Sequence, residues 1–323
     1  MYKPKKVAVI GATKPKYERY CPHWGGLMRG FEENGVDAVL VNSRHNENWV
    51  QDVIASKADL VIYGLLSAVI DTPAREKIRQ RLPNAISVFW YGDARTDVTG
   101  QVDCDLSKEI DFIFQSNDGL KLFTEGKFGI MPAFLPLACN VQGQPTIKEK
   151  YTFPFLFIGA KVYNKGFEER AEIIDTLERY HGLKVINGAR DPLRTQVYQE
   201  MPALYASSSV TLDISHFWHI PKYTSNRFWV IPANWGLAVT KRFPDCEELY
   251  PPATRLYWDT IDELMEKVRF YNQNEKEREK MIRLGWEHTR DNHTYAHRVR
   301  KLFELIEGGV GVSRKTQSRN VSS

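Results

Sequence analysis

The feature that most limits the fold is a repeated alternation of short apolar runs with segments of helical periodicity. "VAVI" (7–10), "AVLV" (38–41), "LVIY" (60–63), "ISVFWY" (86–91) and "FIF" (112–114) are apolar without a polar residue at every second place. Strands with that pattern are buried on both faces, which parallel sheets flanked by helices provide. Between them lie "HWGGLMRGFEENG" (23–35), "NWVQDVIASKA" (48–58) and "TPAREKIRQRLP" (72–83), with apolar residues at helical spacing and glycine or proline stops. The segment "NVQGQPTIKEK" (140–150) is polar and aperiodic and reads as a linker. The pattern then restarts with "FLFIGA", "LKVING", "VTLDIS" and "LAVTK".

The expected fold is therefore α/β, with two facing Rossmann-like, doubly wound domains and a ligand crevice at the carboxyl ends of the strands. A length of 323 residues fits two cores better than one. Residues 1–142 are expected to form the first domain and 150–290 the second. A C-terminal helix over 291–309 is expected to pack back on the first domain, and 310–323 to be a disordered basic tail.

Composition narrows the function classes. Hydrophobic residues make up 42% and charged residues 26%, an ordinary soluble balance. No apolar stretch approaches the roughly 20 residues of a membrane span. "MYKPKK" runs into the first strand without a leader-like apolar region, so a cytoplasmic location is expected. The four cysteines, Cys21, Cys104, Cys139 and Cys246, lack paired spacing and read as reduced thiols rather than metal ligands. His216 and His219 have no third ligand at a metal-binding spacing, so no metal is expected. The formal net charge of +4 permits a polyanionic partner without requiring one. Neither first strand leads into GxGxxG, and GxxxxGK[ST] and GxSxG are absent, which disfavours nicotinamide, flavin, P-loop and serine-hydrolase chemistry. No prosthetic group is expected.

One loop carries chemistry. In "FIGAKVYNKGFEERAEIIDTL" a strand ends at Gly159, and Lys161 and Lys165 precede Gly166 and a helix. Backbone N–H groups at a helix start, joined by two ammonium groups, suit a diphosphate. Both lysines could equally be solvated loop residues.

These motifs resemble a family. "IGAKVYNKGFEE" is similar to the entry of the donor domain of GT-B glycosyltransferases. "YASSSVTLDIS", "TSNRFWVIPANWGLAVT", "CEELYPP", "IDELMEKVRFY" and "HTYAHRVRKLFELI" follow the order seen in the spore-maturation CgeB-like glycosyltransferases. "HWGGLMRGFEENGVDAVLV", "WYGDARTD" and "FLPLAC" resemble motifs of their N-terminal half, so the likeness spans most of the chain. It implies a glycosyltransferase whose second domain holds a nucleotide-diphosphate sugar, with UDP-sugar the expected form, and whose first domain holds the acceptor. Lys165 takes the position of the phosphate-binding lysine. Arg227 would contact the diphosphate, Gly188 the nucleobase, and Gly236 closes the helix lining the sugar.

The chain also departs from related retaining enzymes. Ile231 and Tyr223 stand where a Glu pair is usual, and Arg227 precedes Gly236 by nine residues, one more than usual. Ribose recognition then falls to other groups, with Glu247 or Glu248 as candidates.

In the implied reaction an acceptor hydroxyl attacks the anomeric carbon while the diphosphate leaves. Lysines and Arg227 would stabilise the leaving group, so no metal is obligatory. Asp93 in "WYGDARTD" is the candidate base, with Asp97 as the alternate; Asp93 would also serve as a helix cap or an ion-pair partner of Arg95. His23 is a second catalytic candidate. In the same architecture Gly25 and Gly26 open the first helix and approach the donor phosphates.

The loop before them, "TKPKYERYCPHW", interleaves Lys14, Lys16 and Arg19 with Tyr17, Tyr20 and Trp24. Cations paired with flat rings suit a nucleic acid. The favoured acceptor is thus a hydroxymethylated pyrimidine in double-stranded DNA, as in phage DNA-modifying enzymes, which act in the host cytoplasm. Such an enzyme flips the base from the duplex, and Trp24, Trp90, Tyr91 and Trp218 are candidates to hold it. The alternatives are a cell-surface glycan, lipid or coat-protein acceptor, and a non-catalytic nucleotide-sugar-binding module.

Overall fold

The computed structural model describes residues 2–11, 22–64, 72–92, 109–141, 143–161, 168–186 and 194–311. It separates into two compact units, one holding residues up to Ala138 together with those from Tyr295 onward, the other Cys139–Thr294. The chain thus passes between the units twice.

The first unit is a parallel six-stranded sheet of order β2-β1-β3-β4-β5-β6. Its strands are β1 (Lys6–Gly11), β2 (Asp37–Asn42), β3 (Leu60–Tyr63), β4 (Ile86–Tyr91), β5 (Phe112–Gln115) and β6 (Ala133–Phe134). Helices α1 (Pro22–Glu33), α2 (Trp49–Ser56), α3 (Thr72–Arg81) and α4 (Lys121–Phe128) intervene. Val7 to Ile10 and Leu60 to Tyr63 are buried, so these apolar runs are strands enclosed on both faces. The "FLPLAC" run is strand only at its start. Leu135 N still donates to Gln115 O (2.8 Å), but Pro136 has no N–H to continue the ladder.

The last helix, α11 (Tyr295–Glu307), belongs to this first unit. Its packing depends on a close backbone approach. A Cβ on Gly30 of α1 would lie 2.7 Å from the Tyr295 carbonyl carbon. Asn34 Nδ2 donates to both Gly30 O and Ala296 O, and Arg298 Nε donates to Pro136 O and Leu137 O at 3.1 and 3.2 Å. Because the obstacle is backbone, Gly30→Ala is expected to destabilise the protein by about 1–3 kcal/mol, as overpacking does. Urea unfolding followed by circular dichroism reads that loss as a lower midpoint at unchanged slope.

Beyond α11 the chain is held again four residues on: Ile113 N donates to Gly311 O (3.0 Å), with Gly311 at φ 82°. The expected disordered tail therefore does not begin at residue 310, and 312–323 lie outside the described residues.

The second unit is a parallel five-stranded sheet of order β8-β7-β9-β10-β11. Its strands are β7 (Phe155–Ile158), β8 (Lys184–Ile186), β9 (Val210–Asp213), β10 (Ala238–Lys241) and β11 (Leu256–Trp258). Its helices are α5 (Glu168–His181), α6 (Arg194–Ser207), α7 (Asn226–Ala233), α8 (Cys246–Leu249), α9 (Ile261–Gln273) and α10 (Glu275–Asn292). Phe155, Phe157, Ile174, Leu177, Leu212, Val239 and Trp258 form its core. The aperiodic stretch 140–150 is less free than a plain linker. It ends in a 3₁₀ turn over Glu149–Tyr151, Lys148 N donates to Ser207 Oγ (2.9 Å), and the Lys148 ammonium pairs with Glu200.

Both sheets reverse their strand order beside the first strand, between β1 and β3 in one and between β7 and β9 in the other. At such a switch point the two adjoining connections leave in opposite directions, and a crevice opens at the carboxyl ends of the strands.

Candidate functional site

At the switch point of the second sheet, β7 ends at Ile158, just before Gly159, and β9 at Asp213. Gly159 has φ 153°, and its N–H donates to Ile186 O (2.8 Å). A Cβ there would sit 2.7 Å from Arg227 Nη1, so a side chain would displace that guanidinium. Both the backbone angle and the guanidinium call for glycine at this place.

Arg227 reaches this point from the first turn of α7. Its Nη2 donates to Ile214 O (2.8 Å), and its guanidinium carbon lies 5.0 Å from the centre of the Phe157 ring. Its Nε stands 3.8 Å from Asp213 Oδ1. The side chain is 15% exposed, enough to meet a ligand while its direction is held. Arg170 steadies the other wall: it lies 5.5 Å from the same ring and donates to Ala160 O.

The start of α7 lacks a side-chain cap. Ser225, the residue before the helix, has extended backbone (φ −86°, ψ 167°). Its hydroxyl donates instead to Asp213 Oδ1 (3.3 Å). Uncapped first-turn N–H groups carry the positive end of the helix dipole. Asn226 Oδ1 is shielded from solvent and makes no hydrogen bond with the described residues. A guanidinium, a helix start without a side-chain cap and a side-chain-free glycine at a switch point together have the chemistry that suits an anion.

The far end of α7 explains Gly236. Gly236 N donates to Ile231 O (3.0 Å) and Trp235 N to Pro232 O (3.2 Å), a Schellman closure with Trp235 at φ 59°. A Cβ on Gly236 would meet Ile231 Cγ2 at 2.8 Å and Tyr205 Cβ at 3.1 Å. Gly236 thus serves close packing at the end of the helix away from Arg227. Ile231 and Tyr223, which replace the usual Glu pair, are both buried, Tyr223 against Phe217 with ring centres 5.0 Å apart.

Of the residues singled out in the sequence, the structure brings together Gly159 and Arg227. Lys161 is held elsewhere: its ammonium binds Asp175 Oδ1 (2.6 Å) and Glu178 on α5. Partial burial opposes its charge, but those two carboxylates overcome it and hold its pKa above the ordinary lysine value. Glu247 pairs with Arg242, which also binds Asp259 (3.0 Å), and Glu248 pairs with Lys222 (2.7 Å). Both glutamates therefore lie in ion pairs around the carboxyl end of β10.

In the first unit, Gly25 and Gly26 are the fourth and fifth residues of α1 rather than its opening, since the helix begins at Pro22. Trp24 is 3% exposed and lies 2.9 Å from where a Cβ on Gly11 would stand. Its ring packs on the end of β1, and no face remains for a base. The other aromatic candidates are likewise built into cores. Trp90 is buried with Nε1 donating to Leu135 O (2.9 Å), Tyr91 is buried beside Phe89, and Trp218 packs against the second core. His23 lies in α1; its side chain, and Lys14, Lys16, Tyr17, Arg19, Tyr20, Asp93, Asp97, Lys165 and Gly188, are outside what the structure describes.

Two residues that sequence reasoning missed sit behind Arg227. Asp213 and Arg255 are 42 positions apart in the chain, and both are buried. Their proximity follows from strand order, and no local motif announces it. Among the described residues no group of His, Cys, Asp and Glu could hold a metal ion. No described helix is long and apolar enough to cross a membrane.

Comparisons with known proteins bear on the fold. Residues 146–304 match the family model described as "Glycosyl transferase-like". Comparison with curated proteins by sequence gives no match. Among solved structures, an alpha-glucosyltransferase in complex with UDP-glucose and DNA containing an abasic site aligns with a TM-score of 0.66 at 12% identity, over 95% of this chain and 100% of that one. An alpha-glucosyltransferase in complex with UDP and a 13-mer DNA containing a HMU base gives 0.62 at 11% identity, over 94% and 99% of the two chains. The beta-glucosyltransferase of phage T4 gives 0.55 at 10% identity, over 95% and 100%.

Proposed function

We propose that this chain, a glycosyltransferase of the GT-B fold, binds the diphosphate of a UDP-sugar at the carboxyl edge of its second sheet and transfers the sugar to a hydroxymethylated pyrimidine in DNA. The observation that carries the donor site is the Arg227 guanidinium, fixed between Gly159 and the uncapped start of α7. In the transfer, the hydroxymethyl oxygen of the acceptor bonds to the anomeric carbon as the bond to the diphosphate breaks. Arg227 and the N–H groups of α7 take up the charge that builds on the leaving diphosphate. Asp93 or His23 accepts the proton of the attacking hydroxyl. Lys165 and Gly188 would complete the donor site from the loops after β7 and β8.

Two observations support DNA as the acceptor. The segment that follows β1 in the sequence carries Lys14, Lys16 and Arg19 among tyrosines, and β1 borders the switch point of the first sheet. Fold relatives spanning the same length were solved with DNA bound. The motif order of the second half supports a place for the chain beside the CgeB-like glycosyltransferases.

The test is incubation with a panel of nucleotide sugars and hydroxymethylated duplex DNA, read by nucleoside mass spectrometry. The expected product is a pyrimidine nucleoside heavier by one sugar. Donor hydrolysis without that product would move the acceptor to a glycan, lipid or coat protein. No hydrolysis of any donor would leave a nucleotide-sugar-binding module.

A further inference from the structure

Behind Arg227 lies a buried carboxylate paired with a second, buried guanidinium. Asp213, at the end of β9, has a side chain 3% exposed and stands between two guanidiniums. Arg227 Nε is 3.8 Å from its Oδ1, and Arg255 Nη1 is 3.4 Å from its Oδ2. Thr240 Oγ1 donates to Oδ2 (3.2 Å) and accepts from Arg255 Nη1 (3.0 Å), so one hydroxyl links the pair. Arg255 is 1% exposed and cannot itself meet a ligand. It lies between the rings of Phe228 and Tyr250, 4.0 and 4.2 Å from their centres, and donates to Phe228 O.

We infer that Arg255 is a positioning residue for donor binding: by balancing the charge of Asp213, it leaves Arg227 its net positive charge for the diphosphate. This inference rests on the donor site proposed above. Two cations and one anion leave a net charge of +1, and Arg227 is the member that solvent reaches. Without Arg255, the carboxylate would have Arg227 as its nearest cation and would cancel most of that group's attraction for an anion, because buried charges are poorly screened. The carboxylate also has a task that keeps it in place. Together with Ile214 O it directs the guanidinium toward Gly159, and it draws the Ser225 hydroxyl away from the cap of α7.

The test uses the full chain and calorimetric binding of UDP and of uridine. Arg255→Met is expected to weaken UDP binding by about tenfold or more, the scale of one charged hydrogen bond, while uridine binding stays unchanged. Adding Asp213→Asn to Arg255→Met removes the unbalanced carboxylate and should restore UDP affinity to within about threefold of the original. Replacing both members of a buried pair is commonly tolerated, so the double variant decides the matter even if the single one does not fold. A purely structural role predicts that uridine binding falls with UDP binding, or that the double variant is no better than the single; either result overturns the inference. If Arg227→Ala weakens UDP binding and Arg255→Met does not, this inference alone fails. If Arg227→Ala leaves UDP binding unchanged, the donor site fails first.

Discussion

Arg227→Ala is expected to weaken binding of UDP and UDP-sugar by about 1.5–3 kcal/mol, roughly 10- to 150-fold, the range for hydrogen bonds to charged groups. The side chain is partly exposed and, among the described residues, hydrogen-bonds Ile214 O. Water can reach that carbonyl once the guanidinium is gone, so the fold should survive and the melting temperature should change little. Uridine, which lacks the diphosphate, should bind as before. Isothermal calorimetry with UDP, UDP-sugar and uridine separates these outcomes, and unchanged UDP affinity would remove the phosphate assignment. Lys165→Ala is expected to act in the same direction, because Lys165 lies between Gly159 and α5 in the sequence.

Replacing Lys14, Lys16 and Arg19 together with alanine is expected to produce the larger change in acceptor use. Each cation that neutralises a phosphate adds about 0.9 to the slope of log affinity against log salt, so the loss of three should flatten that slope by about 2.7. At moderate salt this corresponds to a fall in duplex DNA affinity on the order of a hundredfold. Donor hydrolysis should be spared, since Gly159, Arg227 and α7 are untouched. Binding to duplex DNA at several salt concentrations, run beside a hydrolysis assay, reads both. Equal loss of both activities, or an unchanged salt slope, would show that the loop does not face DNA.

The two sheets were legible because parallel strands leave a continuous apolar signature: "VAVI" and "FLFI" contain no polar residue. What the runs could not reveal was their lateral order, and the site depends on it. Asp213 and Gly159 adjoin because β9 pairs with β7 directly. Arg227 was reached through family resemblance, whereas Arg255 lies before a different strand and carries no motif. Lys161 had two readings from its loop alone. Its partners Asp175 and Glu178 stand on one face of α5, and their reach depends on how the loop turns. Trp24 read as a stacking surface because cations surround it in sequence. The contrary signal was Gly11, whose missing side chain makes room for the indole. Glu247 and Glu248 read as ribose ligands for want of the usual Glu pair, yet Arg242 and Lys222 stand close enough to engage both.

The central claim is that a nucleoside diphosphate is gripped where β7 and β9 diverge, by Arg227 and the first turn of α7. A crystal structure with a UDP-sugar bound tests it most directly. The account predicts the diphosphate over Gly159, with an oxygen about 3 Å from Arg227 Nη1 and others facing the N–H groups of α7. A diphosphate lodged elsewhere, or Arg227 turned away from it, would contradict the account.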